Sequence, residues 1–145
     1  MFIRKSVFTA LMVCLCATST TALAQFSERK IRISAGVPDT NPVSVGVKKM
    51  QEVMSKKSGG KMKLMGYYNG VLGGDAQSVQ ALRGGTLDMV ITSSSPLVGM
   101  IKELGMFDLP FLFADESEAY SVLDGPAGDY FNKRLEENGL INLAY

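Results

Sequence analysis

G-V-L-G-G-D-A-Q-S-V-Q-A-L-R-G-G-T-L-D-M-V-I-T-S-S-S-P, residues 70–96, is the stretch that decides the fold. A glycine-rich turn opens a short helix, and Gly84-Gly85 closes it. A buried strand follows and empties into three serines and a proline. A helix N-terminus then lies beside the end of a parallel strand, a position where α/β proteins place small polar ligands.

Upstream, residues 61–68 read as a strand feeding the turn at residues 69–74. Asp75 is an N-cap candidate. Ser78, three residues on, is neither Glu nor Gln, so no full capping box is expected. Residues 30–36 (K-I-R-I-S-A-G) alternate apolar and polar as a first strand. Asn41 should cap the next helix, with Pro42 at its first position, where a missing N–H costs nothing. Val43, Val47, Met50 and Met54 recur at helical spacing, and this stripe is assigned to the core. Residues 58–60, S-G-G, end that helix.

Downstream, residues 87–92 form the third strand, with Met89, Val90 and Ile91 buried on both faces as in a parallel sheet. Residues 96–104 read as a short helix stopped by Gly105, and residues 107–113 (F-D-L-P-F-L-F) as a strand-like run broken by Pro110. Asp115 with Glu118 resembles a capping box opening a helix to Leu123. A last helix carries Tyr130, Phe131, Arg134 and Leu135, and residues 140–145 read as a strand. Strands alternating with helices predict an α/β fold with a mostly parallel sheet, in three layers.

The first 24 residues lie apart from this pattern. Arg4 and Lys5 precede a mostly apolar run over residues 7–17, and Ala22-Leu23-Ala24 before Gln25 is an A-x-A site, so a cleaved secretory signal peptide is expected. A membrane anchor is the alternative, but the apolar run is too short to span a bilayer and residues 18–21 are polar. Neither Cys14 nor Cys16 follows a small-residue lipobox, which argues against a lipoprotein. These are the only two cysteines, so cleavage leaves no disulfide and no cysteine metal site. The chain has no histidine and no tryptophan, which excludes a Ser-His-Asp triad, a His-ligated zinc and a His general base. Losing Arg4 and Lys5 turns the formal charge from +1 to −1, and near-neutral charge gives no electrostatic case for nucleic acid.

Residues 58–62, S-G-G-K-M, have the wrong residue after the lysine for a P-loop and run from helix to strand, the reverse of that motif. Residues 70–74 are not G-x-G-x-x-G; they read as a turn needing positive φ, with the N–H groups of residues 76–78 available to a ligand. Ser93, Ser94 and Ser95 either contact a carboxylate or sugar or simply form a solvated loop. Asp88 is assigned to bonding the preceding turn, and Pro110 to an edge strand, a hinge or a pocket rim.

Together the motifs resemble the start of a TRAP-transporter solute-binding protein of the DctP-like periplasmic family. The match rests on Gly73-Gly74-Asp75, residues 82–89 (L-R-G-G-T-L-D-M), residues 109–113 (L-P-F-L-F) and residues 39–42 (D-T-N-P). The resemblance implies a type II periplasmic-binding-protein lobe and a subunit that captures a small organic acid, a C4-dicarboxylate or related carboxylate, for a membrane permease. It implies no cofactor, no metal, no catalysis and a monomer. It places solute contacts on Thr40 and Asn41, on Asp75, and on Ser93, Ser94 and Ser95. The family's carboxylate-clamping arginine lies beyond a strand matching residues 140–145, and Arg83 and Arg134 stand at non-matching positions. Residues 25–145 are therefore read as the N-terminal part of the first lobe, with most of the second absent, in a truncated product or a fragment. A receptor for an ABC-type permease is a related reading. An exported serine hydrolase using Ser93, Ser94 or Ser95 is opposed by the lack of histidine. An isolated lobe is expected to hold an acid very weakly, because neutral hydrogen bonds at an open surface compete with water.

Overall fold

The computed structural model describes residues 26–145; the leader assigned to residues 1–24 lies outside them. Three parallel strands form the sheet: β1 Arg29–Ala35, β2 Met62–Tyr67 and β3 Met89–Ile91, in the order β2-β1-β3. Strand β1 is central, pairing Arg29 with Met62 through Ser34 with Tyr67 on one side, and Ile33 with Met89 through Ala35 with Ile91 on the other. Helix α1, Pro42–Lys57, joins β1 to β2, and α2, Asp75–Arg83, joins β2 to β3. The first crossover steps one way from β1 and the second steps back over it. Right-handed crossovers therefore put the two helices on opposite faces. The packing agrees: Val47 and Met54 of α1 meet Ile31, Ile33 and Leu64, while Ser78 of α2 bonds Ser34, which points the other way from β1. The expected three layers and parallel sheet are present here.

Helix α1 starts as its sequence dictates. The Asn41 side-chain oxygen accepts from Val43 N–H at 2.9 Å, and Pro42 takes the first position. Its buried face differs from the expected one. Ser44 and Val47 are buried, with Gln51 and Met54 half-buried and the C-cap Ser58 buried, whereas Val43 and Met50 are exposed. Small serines let the helix approach the sheet more closely than methionines would. Ser44 remains satisfied there by donating to the Pro38 carbonyl at 2.8 Å.

Strand β3 is shorter than expected, and its residues are not buried on both faces. Met89 and Val90 are half-buried and Ile91 is exposed. Among the described residues β3 is an edge strand, so only its β1 side is fully paired. The helix expected over residues 96–104 is replaced by two 3-10 segments, Ser95–Leu97 and Lys102–Asp108, with Gly105 inside the second. The extended Ile101 (φ −128°, ψ 94°) separates them and is itself fully buried.

Residues 107–113 form no strand. Pro110 offers no N–H to a ladder, and Phe111 takes a left-handed φ of 60° with its side chain fully exposed. Helices α3, Glu116–Leu123, and α4, Pro126–Glu137, follow. Asp115 caps α3 as expected, accepting from Glu118 N–H at 2.9 Å, while Glu118 reaches back to Ala114 N–H at 2.7 Å. Residues 140–145 are likewise not a strand, because no partner strand pairs with them among the described residues. Side chains hold them to α4 instead: the Tyr145 hydroxyl donates to Asn132 Oδ1 at 3.0 Å or to the Gly128 carbonyl at 3.1 Å. A second core of Ile101, Leu104, Phe131, Leu135 and Leu140 lies here, and Leu82 of α2 and Phe107 pack against it.

Candidate functional site

Parallel strands all point one way, so the chain leaves β1, β2 and β3 at the same edge of the sheet. Residues 36–41, 68–74 and 92–95 therefore form the loops of one rim. The rim includes the reversal of strand order between β1 and β3, where a crevice opens in sheets of this kind. All six residues singled out from the sequence lie on it or at the first position of α2.

The loops after β1 and β2 are fastened together. Asn69, in a left-handed turn at φ 57°, donates its N–H to the Val37 carbonyl at 3.0 Å. Asp75 leans back so far that a Cβ on Gly36 would collide with its Oδ1. The carboxylate at the start of α2 thus covers the backbone just after β1. Asp75 is not the N-cap that was expected. Gly74 takes that place, and Gln77 Oε1 accepts from the Gly74 N–H at 2.9 Å, giving half of a capping box one residue earlier. Asp75 instead occupies the first helical position, where the helix dipole favours a negative charge. Ser78 N–H is taken by the Gly74 carbonyl at 2.9 Å, so the first turn keeps fewer donors for a ligand than the sequence suggests. Gly70 and Gly73 do adopt positive φ, 64° and 99°, as a tight turn requires.

The other site residues differ in how free they are. Thr40 is exposed. Asn41 has its side-chain oxygen committed to capping α1. Ser93 is exposed and Ser94 half-buried, but Ser95 turns away to donate to Asp108 Oδ1 at 2.8 Å. Ser95 therefore works in the fold, tying the two 3-10 segments.

Three neighbours on the rim escape the sequence reading. Thr92 directly follows β3, and its hydroxyl is buried without a protein partner among the described residues. Tyr68 directly follows β2; the hydroxyl end of its ring lies over Gly66, and its hydroxyl is likewise buried and unpartnered among the described residues. Lys48 projects from α1, donating to the Asp39 carbonyl at 2.9 Å and to Asp39 Oδ2 at 3.2 Å, with its ammonium 5.6 Å from the Tyr68 ring centroid. The signal for Thr92 was a hydroxyl closing an apolar strand run. That for Lys48 was its place two helical turns beyond the Asn41 cap.

Asp88 has a different role from the one expected. Its carboxylate accepts from Arg32 N at 2.8 Å and Arg32 Nε at 3.0 Å, fastening the entry of β3 to mid-β1. The preceding turn is closed without it, by Thr86 N–H on the Ala81 carbonyl. The Arg32 guanidinium, and then the Arg32 backbone N–H, hold the Asp88 carboxyl below the usual carboxylate range, and Asp88 in turn raises Arg32. Arg134 is engaged by Glu137 at 2.8 Å and Glu103 at 3.7 Å, away from the rim on α4.

The rim therefore presents hydroxyls, the carboxylates of Asp39 and Asp75 and the Lys48 ammonium, a set that hydrogen-bonds polar solutes and, among the described residues, contains no nucleophile with a base beside it. The family of bacterial extracellular solute-binding proteins, family 7 (DctP), matches residues 33–145. The chain is 31% identical to the 2,3-diketo-L-gulonate-binding periplasmic protein YiaO of Escherichia coli, over 100% of its own length and 43% of that protein's. Among solved structures it is similar to the sugar acid binding protein DctPAm of Advenella mimigardefordensis, in complex with galactonate, with a TM-score of 0.78, 40% identity, and coverage of 80% of this chain and 37% of that one. A TRAP periplasmic solute binding protein from Sulfurospirillum deleyianum with bound succinate matches with a TM-score of 0.74 and 27% identity, over 79% of this chain and 37% of that one. The chain spans less than half the length of each of these proteins.

Proposed function

The chain belongs to the bacterial extracellular solute-binding proteins of family 7, and from that premise we infer that it is the first lobe of a TRAP-transporter receptor for a small organic acid. Family membership also favours this reading over a receptor for an ABC-type permease. The relatives are solute-binding proteins rather than enzymes, and this chain is read as a non-catalytic binding module. It acts in the periplasm, cut after Ala24, with residues 25–145 as the first-lobe portion and integral-membrane permease subunits as its partners.

The observation that carries the reading is the convergence of the three post-strand loops on one rim, at the reversal of strand order. Thr40, Ser93, Ser94 and the unpartnered Thr92 hydroxyl can each both donate and accept, which suits the successive hydroxyls of a sugar acid. Succinate presents no hydroxyls to such a set. The relative solved with galactonate is also more similar to this chain than the one solved with succinate. A sugar acid is thus the first choice of solute, and a C4-dicarboxylate the second. Asp75 and Asn41 shape the crevice floor, and Ser95 supports it from behind.

Calorimetric titration with galactonate, galacturonate and succinate tests this, on the 145-residue chain and on the chain continued through a second lobe. The continued chain should take a sugar acid in preference to succinate. The lobe alone should hold it at least about a hundredfold more weakly, since neutral hydrogen bonds in the open contribute only about 0.5–1.5 kcal/mol each. Preference for an amine or a cation by the continued chain would overturn the reading.

A further inference from the structure

The opposite, amino-terminal edge of the sheet carries a surface that solute binding does not use. Arg29 and Lys30 open β1, Lys61 and Lys63 flank the first residue of β2, and Lys56 and Lys57 end α1; all six are exposed. Lys30 and Lys63 are register partners on neighbouring strands, which sets two like charges side by side at a cost to the sheet. Glu28 is the acid among the residues lining the depression between the two strand starts, and it forms no ion pair with these cations. Residues 1–25 contain no aspartate or glutamate that could supply a counter-charge.

Beside these cations runs an apolar stripe of α1 that the core engages only through Met54. Met50, Val53, Met54 and Lys57 line a groove with Phe26 and Met62. Phe26, Met50 and Val53 are exposed at 41%, 38% and 38%, more than a buried core face would allow. Lysines bordering exposed apolar side chains are the composition of surfaces that lie in a membrane interface.

We propose that this end of the lobe docks on an anionic phospholipid surface, with the lysines against headgroup phosphates and Phe26, Met50 and Val53 at the boundary with the acyl chains. Five of the six cations are lysines, point charges on flexible stems that can follow mobile headgroups; a carboxylate-rich protein face is better met by the planar forks of arginine. A second copy of the same surface would bring like charges together. The solute rim lies at the other edge and stays open while the lobe is docked. The proposal does not depend on which solute is bound.

Sedimentation of the exported protein with phospholipid vesicles tests it. Vesicles of phosphatidylcholine containing about a third phosphatidylglycerol should bind at least about tenfold more protein than phosphatidylcholine alone, and salt should reduce that binding. The combined variant Lys56→Gln, Lys57→Gln, Lys61→Gln, Lys63→Gln should lose most of it with an unchanged circular-dichroism spectrum. Lys30→Gln with Lys63→Gln removes the like-charge pair, so it should bind less while melting no earlier than the parent. Met50→Ser with Val53→Ser should weaken the part of the binding that survives salt. Equal sedimentation with neutral and anionic vesicles, or none with either, overturns the proposal. So does retention on a polyglutamate matrix without vesicle binding, which would assign the surface to an acidic protein.

Discussion

Ser34 and Ser78 face each other across the β1–α2 interface with their hydroxyls 3.0 Å apart, and each residue is 1% exposed. This contact sets α2, and hence Asp75 at its start, against the strand that leads into Gly36. Replacing one serine by alanine leaves the other hydroxyl buried without its partner, which costs about 1–3 kcal/mol. The two single variants should differ. An orphaned Ser78 can turn back to the Gly74 carbonyl one helical turn earlier, a local alternative open to serine in helices. An orphaned Ser34 sits on the central strand, where the neighbouring backbone groups are engaged in ladders on both sides. Ser78→Ala should therefore cost more than Ser34→Ala, less the few tenths of a kcal/mol that alanine gains in a helix. In the double variant both polar groups are gone, and the loss should fall below that of Ser78→Ala alone. Urea unfolding followed by circular dichroism measures this. With a slope of about 1–3 kcal/mol/M, a 2 kcal/mol loss moves the midpoint by roughly 1 M. A double variant whose loss equals the sum of the singles would show that the two hydroxyls do not satisfy one another, and the account of how α2 is seated would fail.

The other predictions concern the rim and its supports. Because Arg32 depresses the Asp88 carboxyl in the folded state, the stability it contributes is present above the unfolded carboxylate pKa and is lost as pH falls through the lower, folded one. Asp88→Asn should flatten the acid limb of a stability–pH curve at low salt; the effect is small because both side chains are over a third exposed. An unchanged limb would count against the pair. Gly36→Ala should push the Asp75 carboxylate off the loop after β1, lowering solute affinity more than thermal stability; equal affinity in a calorimetric comparison would place Asp75 outside the site.

Local chemistry made the first half of the chain legible. A cap such as Asn41-Pro42 acts within three residues, and the alternation of β1 shows that it is a strand, although Ser34 on its polar face is buried as well, beneath α2. Helix α1 was read correctly in extent but rotated in face, because the rule follows side-chain hydrophobicity while the sheet selected small residues at Ser44 and Ser58 for close approach. The second half depends on partners distant in sequence. Residues 107–113 and 140–145 have strand-like composition, but a strand exists only when another pairs with it, and among the described residues none does. The site followed the same division. That the candidate residues share one rim follows from parallel connectivity, which sequence order reveals. Which hydroxyl is free does not: nothing in S-S-S marks Ser95 as the one bonded to Asp108 rather than Ser93 or Ser94.

In the two proposals above, the two edges of the sheet meet anions by different physics, and salt separates them. At the carboxyl edge the charges are largely spent within the fold: Lys48 is held by Asp39, and Asp75 lies over the backbone at Gly36. The solute proposed for this edge would be read by short hydrogen bonds, whose strength depends on desolvation and geometry more than on ionic strength. At the amino edge, Lys56 and Lys57 gain a little from the negative end of the α1 dipole, but Lys30 and Lys63 oppose each other across the strands. That repulsion is relieved by a diffuse layer of anions, and the gain fades beyond a screening length of about 8 Å at physiological salt. Raising salt should thus release the lobe from a phospholipid surface while leaving its choice among solutes unchanged. A solute preference that tracked salt as steeply as vesicle binding would mean that both depend on one set of charges.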